Sequence, residues 1–93
     1  MRLFTYIYIR IDYRLLIQEK NKSMNRTPIS SSNLRSVGYD SATNTLEIEF
    51  HSSHVYQYFN VSESIYNGLM NAASHGKYHH RRIKDNYPYE RIQ

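Results

Sequence analysis

The stretch "TLEIEF", residues 45 to 50, alternates strictly between apolar and polar: Leu46, Ile48 and Phe50 fall on one side of an extended chain, and Thr45, Glu47 and Glu49 on the other. A period of two is the pattern of a half-buried strand in an antiparallel sheet. Upstream, "NLRSVGYD" sets Val37 and Tyr39 on one face, and "DSATNT" supplies the turn formers of a hairpin. Downstream, "HSSH" leads into "HVYQYF", in which Val55, Gln57 and Phe59 share one face and His54, Tyr56 and Tyr58 the other. The pattern predicts a three-stranded antiparallel meander.

The turn at "HSSH" decides which way the tyrosines point. If Ser52 and Ser53 form a two-residue turn, His51 opposes His54, so Phe50 meets Val55, Ile48 meets Gln57 and Leu46 meets Phe59 on the core side. Tyr56 and Tyr58 then lie beside Glu47 and Glu49 on the other face. A turn longer or shorter by one residue reverses this and carries both tyrosines into the core. The two-residue register is the expected one, although Ser-Ser is a weaker turn signal than Asn-Gly.

After the strands the period changes to that of a helix, about 3.6 residues. Ser62 has the chemistry of an N-cap, Glu63 stands near the positive end of the dipole, and Val61 with Tyr66 has the spacing of a hydrophobic staple. Ile65, Leu69, Ala72 and Ala73, with Tyr66 and Met70 beside them, make an apolar stripe suited to cover the Leu46, Ile48 and Phe50 face. "SHG" is expected to end this helix, with Gly76 as a left-handed C-terminal cap. A second, shorter helix is expected from about Lys77 to Lys84, with His79, Ile83 and Tyr87 spaced by four, and Pro88 makes "NYPYERIQ" an extended tail.

Residues 1 to 23 do not continue this order. "FTYIYIRI" alternates like a strand, but "DYRLLIQEKNKS" drifts into polar residues without a cap or turn. The segment reads as an N-terminal extension, either outside the fold or an added edge strand or tail, and the domain proper as residues 24 to 93.

A chain of 93 residues allows one domain with a small core, since at this size only roughly 60% of the unfolded surface is buried. The sequence holds no cysteine, so disulfides and thiolate metal sites are excluded, and a reducing, cytoplasmic compartment is expected. No apolar run approaches the roughly 20 residues of a spanning helix, and no membrane partner is expected. The net charge of +4 is uneven: residues 1 to 23 carry five basic and two acidic side chains, residues 24 to 93 seven and six. Local clustering of the basic groups therefore matters more than their total.

They cluster in "HGKYHHRRIKDNY", where Lys77, Arg81, Arg82 and Lys84 lie within eight residues among His75, His79, His80, Tyr78 and Tyr87. Cations interleaved with aromatic rings suit phosphates and stacked bases, and the competing reading is a solvated helix face whose Tyr78, Ile83 and Tyr87 pack on the sheet. Tyr56 and Tyr58 pose a similar choice between a base-stacking platform and burial with bonded hydroxyls, the commoner fate of such a pair. His51 and His54 face each other across a turn, but without cysteine or a finger-like spacing neither a metal nor any cofactor is expected. Ser74 beside His75 lacks a carboxylate to orient the imidazole, so no enzymatic activity is expected.

The stretch from Ile29 to Tyr87 resembles the KTSC domain, a module of small bacterial and phage proteins named for the C-terminus of some lysyl-tRNA synthetases. "SVGYD", the L-x-I-x-F strand, the central "YQY", the "FNV" entry to the helix, and "ASHGKY" followed by I-K-x-x-Y carry the resemblance. The synthetase context implies RNA as a ligand. The expectation is therefore an α+β domain: a three-stranded antiparallel meander covered by one helix, then a short basic helix. Its expected role is non-enzymatic binding of RNA, with Lys77, Arg81, Arg82 and Lys84 on phosphates and Tyr56, Tyr58 and Tyr78 stacking or shaping the surface. The alternative is a protein-interaction or homodimerisation module.

Overall fold

The computed structural model describes residues 24–93, and the extension at residues 1–23 lies outside the described residues. Among the described residues, five antiparallel strands follow one another in space as in sequence: β1 (Thr27–Pro28), β2 (Leu34–Asp40), β3 (Thr45–Phe50), β4 (Val55–Tyr58) and β5 (Tyr89–Arg91). Helix α1 (Glu63–Asn71) and the single turn α2 (His75–Tyr78) come between β4 and β5, and α2 runs directly into a π-helical turn, His79–Ile83. The fold class is α+β, but the sheet has two more strands than the three expected. Strands of two and three residues are too short to show periodicity. Pro28 lacks a ladder donor and is tolerated because β1 is an edge strand. The expected tail supplies β5 instead: Val55 N donates to Gln93 O at 2.9 Å, Phe59 N to Pro88 O at 2.9 Å and Ile92 N to Val55 O at 2.8 Å.

The β2–β3 hairpin forms where the turn residues predict it, with Asp40 opposite Thr45 and Asn44 in the left-handed region at φ 55°. Arg35 is an extra residue in β2, between the pairs Leu34–Phe50 and Ser36–Glu49. This bulge lets Leu34 and Val37, an odd number of residues apart, face the same side.

The turn between β3 and β4 overturns the expected register. Three residues, not two, span it: Phe50 N donates to His54 O at 2.9 Å, and Ser53 takes φ 75°. A left-handed third residue is the common form of a three-residue hairpin loop, and serine accepts it without an Asn-Gly pair. Leu46 therefore pairs with Tyr58, and Ile48 with Tyr56. Both tyrosines join the apolar face, and Val55 and Gln57 move to the face of Glu47 and Glu49.

Helix α1 begins as its sequence predicts, the Ser62 side chain accepting from Ile65 N, and buries Leu69 against the sheet. It ends earlier than expected. Ala72 is extended, and Gly76 lies inside α2 rather than serving as a left-handed cap. The reason is Ser74, whose hydroxyl accepts from Lys77 N at 3.2 Å and so starts a new helix. His75 Nδ1 donates to Leu69 O at 2.8 Å, satisfying a carbonyl at the end of α1. The second helical segment thus begins two residues before the expected start, and its last bond, Lys84 N to His79 O at 2.8 Å, spans five residues.

Leu34, Val37, Leu46, Ile48, Val61, Leu69 and Ile83 are fully buried between the sheet and the helical segments, with Tyr58 at their border. Among the described residues, no helix is long and apolar enough to cross a membrane.

Candidate functional site

The register divides the sheet into two faces of different character. On the face away from the helices, the Arg26 guanidinium pairs with Glu47 and, at 3.8 Å, with Glu49. Arg26 Nε donates to Ser36 Oγ at 2.9 Å, Ser36 Oγ donates to Glu49 Oε1 at 2.8 Å, and Gln57 Nε2 donates to Glu47 Oε1 at 2.9 Å. Gly38 makes room for this arrangement, since a Cβ there would lie 2.5 Å from Asn25 O. The carboxylates of β3 are thereby held on the side opposite Tyr56 and Tyr58.

On the helix face, α1 leaves the β3–β4 turn end of the sheet uncovered. A cleft of about 370 Å³ opens there, lined by Phe50, Tyr56, Tyr58, His79, Lys84 and Tyr89 among others. Pairing of Tyr58 with Tyr89 puts the β5 ring on the same face, 6.0 Å from Tyr58 and 5.7 Å from Tyr56 between centroids. Tyr89 is 57% exposed, so its ring is open to solvent at the cleft mouth.

Tyr58 and His79 form the buried floor, the hydroxyl and Nε2 hydrogen-bonded at 3.0 Å. Burial pushes the His79 imidazole down to about 4; Lys84 and His80 add to the effect and Asp85 opposes it. Burial likewise raises the Tyr58 hydroxyl well above its usual value, with smaller contributions from Tyr56, Tyr89 and Asp85. Both groups are neutral near pH 7, so the floor is uncharged and the Tyr58 hydroxyl is engaged with His79 Nε2.

The helical segment after Ser74 borders this cleft on one side and a second groove on the other. His80, Lys84 and Asp85 line the cleft, whereas Lys77, Tyr78, Arg81 and Arg82 line a groove against Ala72 and Ala73 at the end of α1. All four cations are exposed. Tyr78 lies across α1 at Gly68, where a Cβ would overlap its hydroxyl, and the Arg82 guanidinium stands 6.0 Å from the Tyr78 ring centroid.

The structure thus groups Tyr78 with Lys77, Arg81 and Arg82, and Tyr56 and Tyr58 with Lys84. Tyr58, only 5% exposed, forms the floor and offers no open ring face. Tyr56 is half-buried and borders the cleft. Sequence reasoning missed Tyr89 at this site, because the three residues of β5 carry no alternation of apolar and polar positions that would mark a strand. It also missed Asn33 and Asp85, which reach the cleft through loops. Ser74 and His75, adjacent in sequence, are occupied separately in capping α2 and bonding α1.

Comparison with known proteins places these features in a wider group. The family model described as KTSC domain matches residues 30–87. A solved KTSC domain protein from Yersinia pestis superimposes with a TM-score of 0.73 at 37% identity, covering 76% of this chain and all of that one. An uncharacterized protein from Stutzerimonas stutzeri is 39% identical over 70 residues, 74% of this chain and 99% of its own length. A lysine–tRNA ligase from Trichormus variabilis is 44% identical over 54 residues, 58% of this chain, and the match spans only 10% of the ligase.

Proposed function

Because the chain belongs to the KTSC domain family, we propose that it is a small binding module for RNA, gripping a single-stranded or looped segment along the helical turn from Lys77 to Lys84. The observation that carries this reading is the continuity of charge and rings: cations line grooves on both sides of one helical segment, and one of those grooves is walled by Tyr56 and Tyr89. The register adds to it, because Glu47 and Glu49 are paired with Arg26 on the far face and do not repel a phosphate chain here. A lysine–tRNA ligase acts on tRNA, and its similarity over 54 residues supports RNA over other polyanions.

Fluorescence anisotropy titration of a labelled mixed oligoribonucleotide pool over a range of salt tests it. With about three phosphate contacts, log affinity falls against log salt with a slope near −2, and the Arg81→Ala, Arg82→Ala double variant flattens that slope by about 1 to 1.5. Absence of binding even at low salt sinks the reading. A concentration-dependent dimer in that sample, little affected by salt, replaces it with a homodimerisation module.

A further inference from the structure

Resting on that reading, we infer that the cleft between β4, β5 and the π-helical turn receives one unstacked nucleotide, with its base against Tyr89 and Tyr56 and its amino edge on Asp85. Guanine is the best-matched base.

Size and shape give the first argument. A volume of about 370 Å³ falls within the range of small-ligand pockets, about 300 to 1,000 Å³. Phe50, Tyr56 and Tyr89 supply ring surface to the walls, and on the neutral floor the Tyr58 hydroxyl is bonded to His79 Nε2, so a flat, largely apolar ring is favoured at the bottom. The exposed ring of Tyr89 gives a stacking surface, which every base can use.

Charge gives the second argument, because the cleft is not uniformly basic. Lys84 and His80 share it with Asp85, which makes no ion pair among the described residues. A carboxylate beside a phosphate site is unfavourable unless it receives hydrogen-bond donors. A base with N–H groups on its edge supplies them. Guanine presents N1–H and N2–H side by side, matching the two carboxylate oxygens as a bidentate pair. Adenine and cytosine offer an amino group alone. Uracil has no amino group and turns carbonyl oxygens toward the same region. The 5′-phosphate then lies against Lys84 and His80, the cations of the cleft.

The test is a titration of the full chain with GMP, AMP, CMP and UMP, followed by amide and aromatic NMR shifts, with inorganic phosphate as control. GMP should bind at least fivefold more tightly than UMP and shift Tyr89, Lys84 and Asp85, whereas phosphate alone leaves the tyrosine rings unmoved. Tyr89→Ala, at an exposed position, should weaken all four nucleotides about tenfold. Asp85→Asn should bring GMP and UMP to similar affinity; asparagine is compatible with the left-handed backbone, φ 66°, at that position. Equal binding of GMP and UMP by the unaltered chain, an Asp85→Asn variant that keeps the preference, or phosphate reproducing the nucleotide shifts overturns the inference. If oligoribonucleotides bind while the cleft stays silent toward all four, the inference fails and the RNA-binding reading stands. If neither binds, both fail.

Discussion

At Gly68 the absence of a side chain lets the Tyr78 ring cross α1. Glycine within a helix costs about 0.8 to 1 kcal/mol relative to alanine. Gly68→Ala should nevertheless destabilise the protein by about 1 to 3 kcal/mol, because the methyl group displaces Tyr78. In a Tyr78→Ala background the same change should stabilise; a double-mutant cycle by chemical denaturation checks the reversal of sign. His79 carries the second prediction at this scale. Its folded pKa of about 4 lies below the roughly 6.5 of a free imidazole, so on acidification the unfolded chain takes up the proton first. The associated stability is fully present above about pH 6.5 and is lost as pH falls toward about 4. The loss should be on the order of 2 kcal/mol, allowing for solvent screening at the cleft. Denaturation midpoints near neutrality and at about pH 4.5 measure it, and His79→Phe should remove most of the difference. The spacing of His79, Ile83 and Tyr87 by four was visible in the sequence, but the burial of His79 was not. Nothing in that spacing indicated that Tyr58 would be the hydrogen-bond partner of His79, since that contact depends on a register set elsewhere.

The β3–β4 turn is the element on which that register depends. Ser53 holds the left-handed conformation, φ 75°, at a cost that glycine avoids, so Ser53→Gly should raise stability by about 0.5 to 1 kcal/mol. Destabilisation of that size would mean that the loop does not need the left-handed residue. Ile48→Ala and Leu69→Ala, both in the sealed layer between sheet and helix, should each cost about 2 to 5 kcal/mol, and a loss under about 1 kcal/mol for either would contradict the assigned faces. The strictly alternating β3 and the Ser62-capped α1 were readable because each carries its own periodicity and boundary signal. Ser52 and Ser53 do not specify a loop length, and one residue of difference there moved Tyr56 and Tyr58 to the other face. β1 and β5 escaped notice because each is defined by its neighbour's edge rather than by any pattern of its own.

Across the whole molecule, near-balance of charge in residues 24 to 93, seven basic against six acidic side chains, conceals a separation. Arg26 is turned to the far face with Glu47 and Glu49, while Lys77, Arg81, Arg82 and Lys84 remain exposed around one helical segment. The cluster itself was visible in the sequence because its members are close along the chain. Its division between two grooves, and the arrival of Tyr89 beside one of them, follow from the π-helical turn and from β5, which bring together residues with no common spacing. In the RNA-binding proposal a single face, the one bearing Tyr89 and the cations, meets the ligand. Chemical-shift mapping of the full chain against a mixed oligoribonucleotide tests this most directly. Shifts should concentrate at Tyr56, Lys77, His80, Arg81, Lys84 and Tyr89, with Ser36, Gly38 and Glu49 unmoved. Shifts centred on Ser36, Gly38 and Glu49, with the helical segment silent, would contradict it.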